Sequence, residues 1–170
     1  WKVCGGHLGP VLETLLYLRH ETDIWLELTT LLIPGENDSA EEIGAMTQWI
    51  FEHLGPDVPL HFTAFHPDWK MLDLPCTPRQ TLTRSREIAI ANGMHHVYTG
   101  NIHDYGGSST YCHGCGEVLV GRDWYELSNW NLELDGQSAK CASCGTRIAG
   151  VFEAKPGSWG SRRRPIHIGA

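Results

Sequence analysis

The sequence predicts an α/β protein: the later portion of a larger, partial (TIM-like) βα barrel, followed by a small ribbon clasped by four cysteines. Three observations predict it. Helix-like and strand-like segments alternate over residues 1–105, and two CxxCG motifs stand at Cys112/Cys115 and Cys141/Cys144. The composition of the 170 residues, 41% hydrophobic and 19% charged, lies in the range of packed globular chains and excludes wholesale disorder. The expected organisation is a βα segment over residues 1–105, a ribbon domain over 106–152 and a tail over 153–170.

Pro10 falls where a first helical turn tolerates it, and Val11, Leu12, Leu15, Leu16 and Leu18 form one apolar face before Asp23. Residues 24–33 (IWLELTTLLI) are β-branched and apolar and end at Pro34-Gly35, a strand closed by a turn. Ser39 followed by Glu42 reads as a capping box, because each can satisfy a free amide at a helix start. Ile43, Met46, Ile50 and Leu54 then recur at helical spacing until Gly55-Pro56. Residues 60–65 (LHFTAF) make a second strand. Thr77-Pro78-Arg79-Gln80 repeats the start signal with proline at the first helical position, and that helix runs to Asn92 with Gly93 as its cap. Residues 96–99 make a third strand. Helices between successive strands imply right-handed crossovers and a parallel sheet. Three strands cannot close a barrel, so an unpaired edge and an uncovered face are expected.

Gly106-Gly-Ser-Ser109 predicts a flexible joint, and strands around residues 124–127 and 131–134 fill the space between the two cysteine pairs. Arg162, Arg163 and Arg164 read as a solvated tail.

The cysteines carry the strongest chemical signal. A two-residue spacer lets both thiolates of a pair converge on one tetrahedral ion, with zinc–sulfur distances of ~2.3 Å. The glycine after each second cysteine suits a tight turn whose amides point at the sulfurs. Residues 116–140 make a longer spacer than the commonest four-cysteine pattern, which a longer hairpin accommodates. A disulfide framework, a redox dithiol and an iron–sulfur cluster compete with structural zinc. Cysteine usage does not resemble an oxidised scaffold, strand-like text follows each pair, and the duplicated motif favours a zinc ribbon. A closed site of Cys112, Cys115, Cys141 and Cys144 leaves no position for substrate, so zinc here is a structural clasp. Cys4 and Cys76 stand alone and read as partly buried thiols.

The longest apolar run falls far short of a bilayer span, and 20 acidic against 13 basic residues argue against nucleic acid or anionic lipid as a partner. The chain opens at Trp1 without an initiator methionine or secretory signal, and is expected to be an excerpt of a longer cytoplasmic polypeptide. In parallel βα architectures ligands bind beyond the C-terminal ends of the strands. That rule selects residues 34–38, 66–70 and 100–104. His66, directly after a strand, is the foremost candidate, with a loop-capping role as its alternative. Asn37 and Asp38 read as turn and cap residues, His95-His96 cannot share one metal in a strand, and Glu27 could act as acid or base but has no partner in sequence.

Trp25 to Ser39 (WLELTTLLIPGENDS), Phe62 to Pro67 (FTAFHP) and Val97 to Asn101 (VYTGN) together resemble the second half of radical SAM barrels, enzymes similar to pyruvate formate-lyase activating enzyme. The preceding KVCGGH at residues 2–7 and the trailing double CxxCG narrow the resemblance to the radical SAM enzyme of the AmmeMemoRadiSam system. The resemblance implies a [4Fe–4S] cluster on a CxxxCxxC motif, with S-adenosylmethionine bound to its open iron and cleaved to a 5′-deoxyadenosyl radical. It places Thr29 and His66 against S-adenosylmethionine, and it implies Memo-like and AMMECR-type proteins as partners. No CxxxCxxC occurs in these 170 residues. The cluster motif is therefore expected upstream, in the missing N-terminal half of the barrel, and this piece alone is expected to be inactive. The competing expectation is a non-enzymatic zinc-ribbon adaptor that binds protein or nucleic acid.

Overall fold

The computed structural model describes residues 4–152; Trp1, Lys2, Val3 and residues 153–170, including the arginine tail, lie outside the described residues. The chain divides into two compact units, Trp1–Gly107 and Ser108–Ala170.

The first unit runs α1 (Leu8–Glu21), β1 (Leu28–Leu32), α2 (Ala40–Leu54), β2 (Leu60–Ala64), α3 (Arg79–Ala91) and β3 (Val97–Gly100). The strands pair in parallel in the order β1-β2-β3. Register aligns Leu28, Leu60 and Val97, then Thr29, His61 and Tyr98, then Thr30, Phe62 and Thr99. Alternation along each strand sorts these rows onto opposite faces. Leu32, Leu60, Phe62, Ala64 and Val97 join Ile43, Ile50 and Leu54 of α2 and Leu82 and Ala89 of α3 in one core. The opposite face carries Thr29, Leu31, His61, Thr63, Tyr98 and Gly100, none of them fully buried.

Helix α2 starts where Ser39 Oγ accepts from the Glu42 amide and ends at Gly55, whose φ of 94° favours a residue without Cβ. Thr47 takes a fully buried place on its face, its hydroxyl donating to the Ile43 carbonyl, while Met46 is partly buried. Asn92 ties the end of α3 to α2 by donating to Thr47 Oγ1 at 2.8 Å.

Several expectations change. Helix α1 buries none of its residues completely: Leu8 and Val11 are exposed, and Leu15 and Leu16 only partly cover the core. What holds it is polar, since Arg19 Nε donates to the Leu54 carbonyl at 2.7 Å and His20 Nε2 to the His53 carbonyl at 2.9 Å. Both satisfy carbonyls that the end of α2 cannot pair internally. Strand β1 begins at Leu28 rather than residue 24, leaving Ile24 and Trp25 exposed. Helix α3 begins at Arg79 with Pro78 as its N-cap residue, because Thr77 serves the sheet instead. The buried Thr77 hydroxyl donates to the Leu32 carbonyl at 2.5 Å and accepts from the Phe65 amide at 2.8 Å.

The expected glycine–serine joint is ordered. Tyr105–Ser108 forms a helical turn, α4, with Gly107 buried. A Cβ on Gly107 would collide with Thr99 Oγ1 and Asp104 Oδ2, so only glycine allows this approach. Ser109 is buried, its Oγ accepting from the Arg122 amide at 3.1 Å.

The second unit holds two three-stranded antiparallel sheets: β4 (Thr110–Tyr111), β5 (Val118–Asp123) and β6 (Glu126–Trp130), then β7 (Leu132–Asp135), β8 (Ser138–Cys141) and β9 (Arg147–Ile148). The strand expected near residues 124–127 starts later because Trp124, at φ 53°, makes the β5–β6 turn. Asn131 links the sheets: its amide and side chain donate to the Leu119 and Val118 carbonyls, and its carbonyl accepts from Ala142. Leu119, Val120, Ala139 and Ile148 pack with Cys112 and Cys141 in a core separate from that of the first unit.

Candidate functional site

The two CxxCG segments fold alike. Cys112 donates its amide to the Glu117 carbonyl and Gly116 donates to the Cys112 carbonyl, each at 2.8 Å. Cys141 with Thr146, and Gly145 with Cys141, repeat both bonds at 2.8 Å. Gly116 and Gly145 adopt φ of 77° and 74°, the left-handed turn expected from their lack of a side chain. One turn lies between β4 and β5, the other between β8 and β9. Sheet pairing therefore delivers all four sulfurs to one point.

Cys112 Sγ lies 3.6 Å from Cys144 Sγ, and Cys115 Sγ 3.7 Å from Cys141 Sγ. The four ligand atoms all lie within 4.8 Å of one another, and none of the six cysteines is disulfide-bonded. A tetrahedron with ~2.3 Å metal–sulfur bonds has edges of about 3.8 Å, so the sulfurs already stand near coordinating separation. Cys112 and Cys141 are buried and Cys115 and Cys144 exposed, which leaves the centre one wet side.

Two of the four thiols are shifted from their ordinary values by their neighbours. Cys144 is lowered to about 6, first by the Thr146 hydroxyl at 3.1 Å, then by the Thr146 amide and the Cys115 sulfur. The Glu117 amide favours a Cys115 thiolate, yet the Cys144 sulfur, desolvation and the other two thiols push Cys115 up to about 12. Ionisation of Cys144 thus opposes that of Cys115. The donor set is four sulfurs, of a kind and number fit to hold a metal ion.

Strand ends of the first unit form a second cluster of polar groups. Asn37 locks the end of β1, accepting from the Ile33 amide at 2.7 Å and donating to the Leu31 carbonyl at 2.9 Å. Asp38 accepts from the Gly35 amide at 2.9 Å, and Arg84 donates to the Asp38 carbonyl. Both residues are thus turn-formers, as the sequence suggested. Residues 66–76 leave the end of β2 as an excursion pinned at its base by Thr77. His66 is exposed at its start, and Trp69 and Leu72 are exposed along it. Beyond β3, Asp104 accepts from Thr99 Oγ1 and Arg79 Nη2, each at 2.9 Å. Burial works to raise the Asp104 carboxyl, but the Thr99 hydroxyl, the Gly107 amide and Arg79 outweigh it and hold it below its ordinary value.

Thr29 is exposed on the helix-free sheet face and His66 on the rim, and no contact joins them. Cys4 and Cys76 are exposed, not partly buried, because one precedes α1 and the other lies on the 66–76 excursion outside the Thr77 anchor. His95 donates to Asp57 Oδ1 at 2.8 Å and meets the buried His96 ring edge-on, with centroids 6.2 Å apart. Glu27, which has no partner in sequence, accepts from His61 Nε2 at 2.9 Å. Sequence reasoning passed over His61, and the β1–β2 register is what brings it to Glu27. Among the described residues no helix is long and apolar enough to cross a membrane.

No family model matches the sequence, and no solved structure matches it. The chain is 40% identical over 147 residues to the uncharacterized protein MJ0808 of Methanocaldococcus jannaschii, covering 86% of this chain and 43% of that relative. The chain therefore spans less than half the length of the relative it matches.

Proposed function

We propose that this chain is the C-terminal part of a radical SAM enzyme, a βα half-barrel over residues 1–105 that carries a zinc-held ribbon over 106–152. The observation that carries the reading is the parallel sheet β1-β2-β3, whose helices α2 and α3 cover one face while the other stays polar and accessible, with Thr29 upon it and His66 at its rim. A three-stranded parallel sheet with open edges suits a piece of a larger barrel. The greater length of the archaeal relative is consistent with that.

The residues present fit S-adenosylmethionine in kind: the Thr29 hydroxyl and the His66 ring can each hydrogen-bond a polar ligand on the accessible face. They do not fit the [4Fe–4S] cluster. Cys4 and Cys76 are single and distant in sequence, and the other four cysteines are gathered in the ribbon. Under this reading the cluster ligands belong to the preceding half of the barrel. A cluster held there would supply the reducing electron for splitting S-adenosylmethionine into methionine and a 5′-deoxyadenosyl radical. This chain's own part is to bind and orient the sulfonium substrate, and the ribbon's zinc is structural. Memo-like and AMMECR-type proteins are its proposed partners, and free thiols suit a cytoplasmic setting.

The test is to express the intact protein anaerobically, measure iron, sulfide and zinc, and assay reductive cleavage of S-adenosylmethionine. Four irons beside one zinc, with 5′-deoxyadenosine formed, are the expected result. An intact reading frame without CxxxCxxC, or a protein that takes up neither cluster nor S-adenosylmethionine, overturns it.

One observation favours a second reading, a protein-binding adaptor. Trp124, Tyr125 and Leu127 are exposed together at the β5–β6 turn. Replacing Trp124 and Tyr125 with serine abolishes partner capture under that reading and leaves S-adenosylmethionine cleavage intact under the first.

A further inference from the structure

Residues 66–76 carry features that neither the four-sulfur centre nor the Thr29 and His66 assignments use. The segment leaves the C-terminal end of β2 and returns to the sheet at Thr77. The Thr77 amide donates to the Phe65 carbonyl at 3.1 Å, and the Thr77 hydroxyl accepts from the Phe65 amide at 2.8 Å. That hydroxyl also donates to the Leu32 carbonyl at the end of β1. The two ends of the segment therefore meet on the sheet, as in the closed neck of an Ω-loop, a form that is frequently functional. Above the neck, the hydrogen bonds among the described residues are local: the Met71 amide donates to the Asp68 carbonyl at 2.9 Å, and the Trp69 amide to Asp68 Oδ1 at 2.8 Å. No residue from 66 to 76 is buried.

The tip of this loop spends apolar surface on water. Trp69 is 79% and Leu72 71% exposed. Trp69 also holds φ at 46°, the left-handed region that a residue with a Cβ enters at a cost, and such costs cluster at ligand clamps and active sites. Its indole face already accommodates a cation, with Lys70 Nζ 4.4 Å from the ring centroid. His66 is the first residue of the loop, and three residues of chain reach about 10 Å, so Trp69 can arrive over a ligand seated at the end of β2.

We propose that residues 66–76 are a lid that closes over S-adenosylmethionine at the C-terminal ends of β1, β2 and β3, with Trp69 as the residue that lands on the ligand. The lid rests on the reading of those strand ends as the S-adenosylmethionine site. S-adenosylmethionine offers an indole two groups that it attracts, a sulfonium cation and a flat purine. Closure takes Trp69 out of water and leaves the Thr77 neck as it stands, so only the chain between Phe65 and Thr77 has to move.

The experiment uses the intact protein, with S-adenosylmethionine as the probe. Lys70 is exposed at the loop tip beside Trp69, where trypsin can reach it, and the cut after Lys70 is followed by mass spectrometry without and with the ligand. Saturating S-adenosylmethionine is expected to slow that cut several-fold. In calorimetry Trp69→Ala weakens binding about tenfold, the loss of one aromatic contact, and Trp69→Phe restores most of it. Circular dichroism checks that each variant folds, and the protection of Lys70 in the wild type decides even if one does not. An unchanged cut at Lys70 with S-adenosylmethionine bound, or equal affinity in folded Trp69→Ala, overturns the lid and leaves the S-adenosylmethionine reading standing. So does a loop that trypsin cannot cut before ligand is added, because the protein itself then covers it, or a loop shielded by a protein partner alone. No binding by the wild type overturns that reading and the lid together.

Discussion

Removing one sulfur should unfold the ribbon and spare the βα unit. Cys112 is 2% exposed, 3.6 Å from Cys144, and part of the core that Leu119, Val120, Ala139 and Ile148 complete. Burying a Leu, Val or Ile side chain contributes roughly 1.5–3 kcal/mol, whereas a structural zinc contributes about 10–16 kcal/mol to a small domain. With so few large aliphatic side chains inside, an ion held by the four sulfurs would be the dominant stabilising term. Cys112→Ser, or a strong chelator on the wild type, should therefore collapse residues 110–151 to a disordered spectrum. The core built on Phe62, Leu60 and Leu82 is composed of different residues and should persist. The assay is a backbone amide NMR spectrum recorded beside metal analysis and thiol titration, with about one metal per chain expected before chelation. A ribbon that keeps its dispersed resonances with four free thiols and no metal refutes the reasoning. Simultaneous collapse of both units would refute their independence.

Thr77→Val deletes the hydroxyl that joins the Leu32 carbonyl to the Phe65 amide, and leaving both buried groups unpaired should cost about 2–3 kcal/mol in denaturant unfolding. Asp104 gives a pH signature: a carboxyl held below its ordinary 3.8 stabilises the fold fully above that value, and its contribution is lost as pH falls through the lower folded-state value. Asp104→Asn should lower stability at neutral pH by about 1–2 kcal/mol and flatten the acid limb, read by thermal unfolding across pH. Gly93 has φ 96°, and a Cβ there would sit 2.7 Å from Phe51 Cε2, so Gly93→Ala should cost about 1–3 kcal/mol in the same unfolding assay.

Local chemistry made much of this protein legible. The Ser39 cap, the glycine ends at Gly55 and Gly93 and the duplicated cysteine turns all depend on residues close together in the chain, where backbone propensity decides. Asn37 and Asp38 were legible as turn residues for the same reason: their partners lie within six positions. Errors arose where a side chain was recruited from afar. Thr77 resembles a helix start, yet its hydroxyl is claimed by the Leu32 carbonyl at the end of β1 and by the Phe65 amide just past the end of β2. The Gly-Ser run resembles a linker, yet Arg122 and the Asp104 pocket order it.

The same division holds for the two candidate sites. Spacing alone determined that each cysteine pair could grip an ion, because two residues of backbone bring two sulfurs together whatever surrounds them. That the two pairs meet at one point was decided by β4 to β9, and that Glu27 meets His61 was decided by strand register. Registers and sheet assembly emerge from the joint packing of many side chains, so no short stretch of sequence carries them.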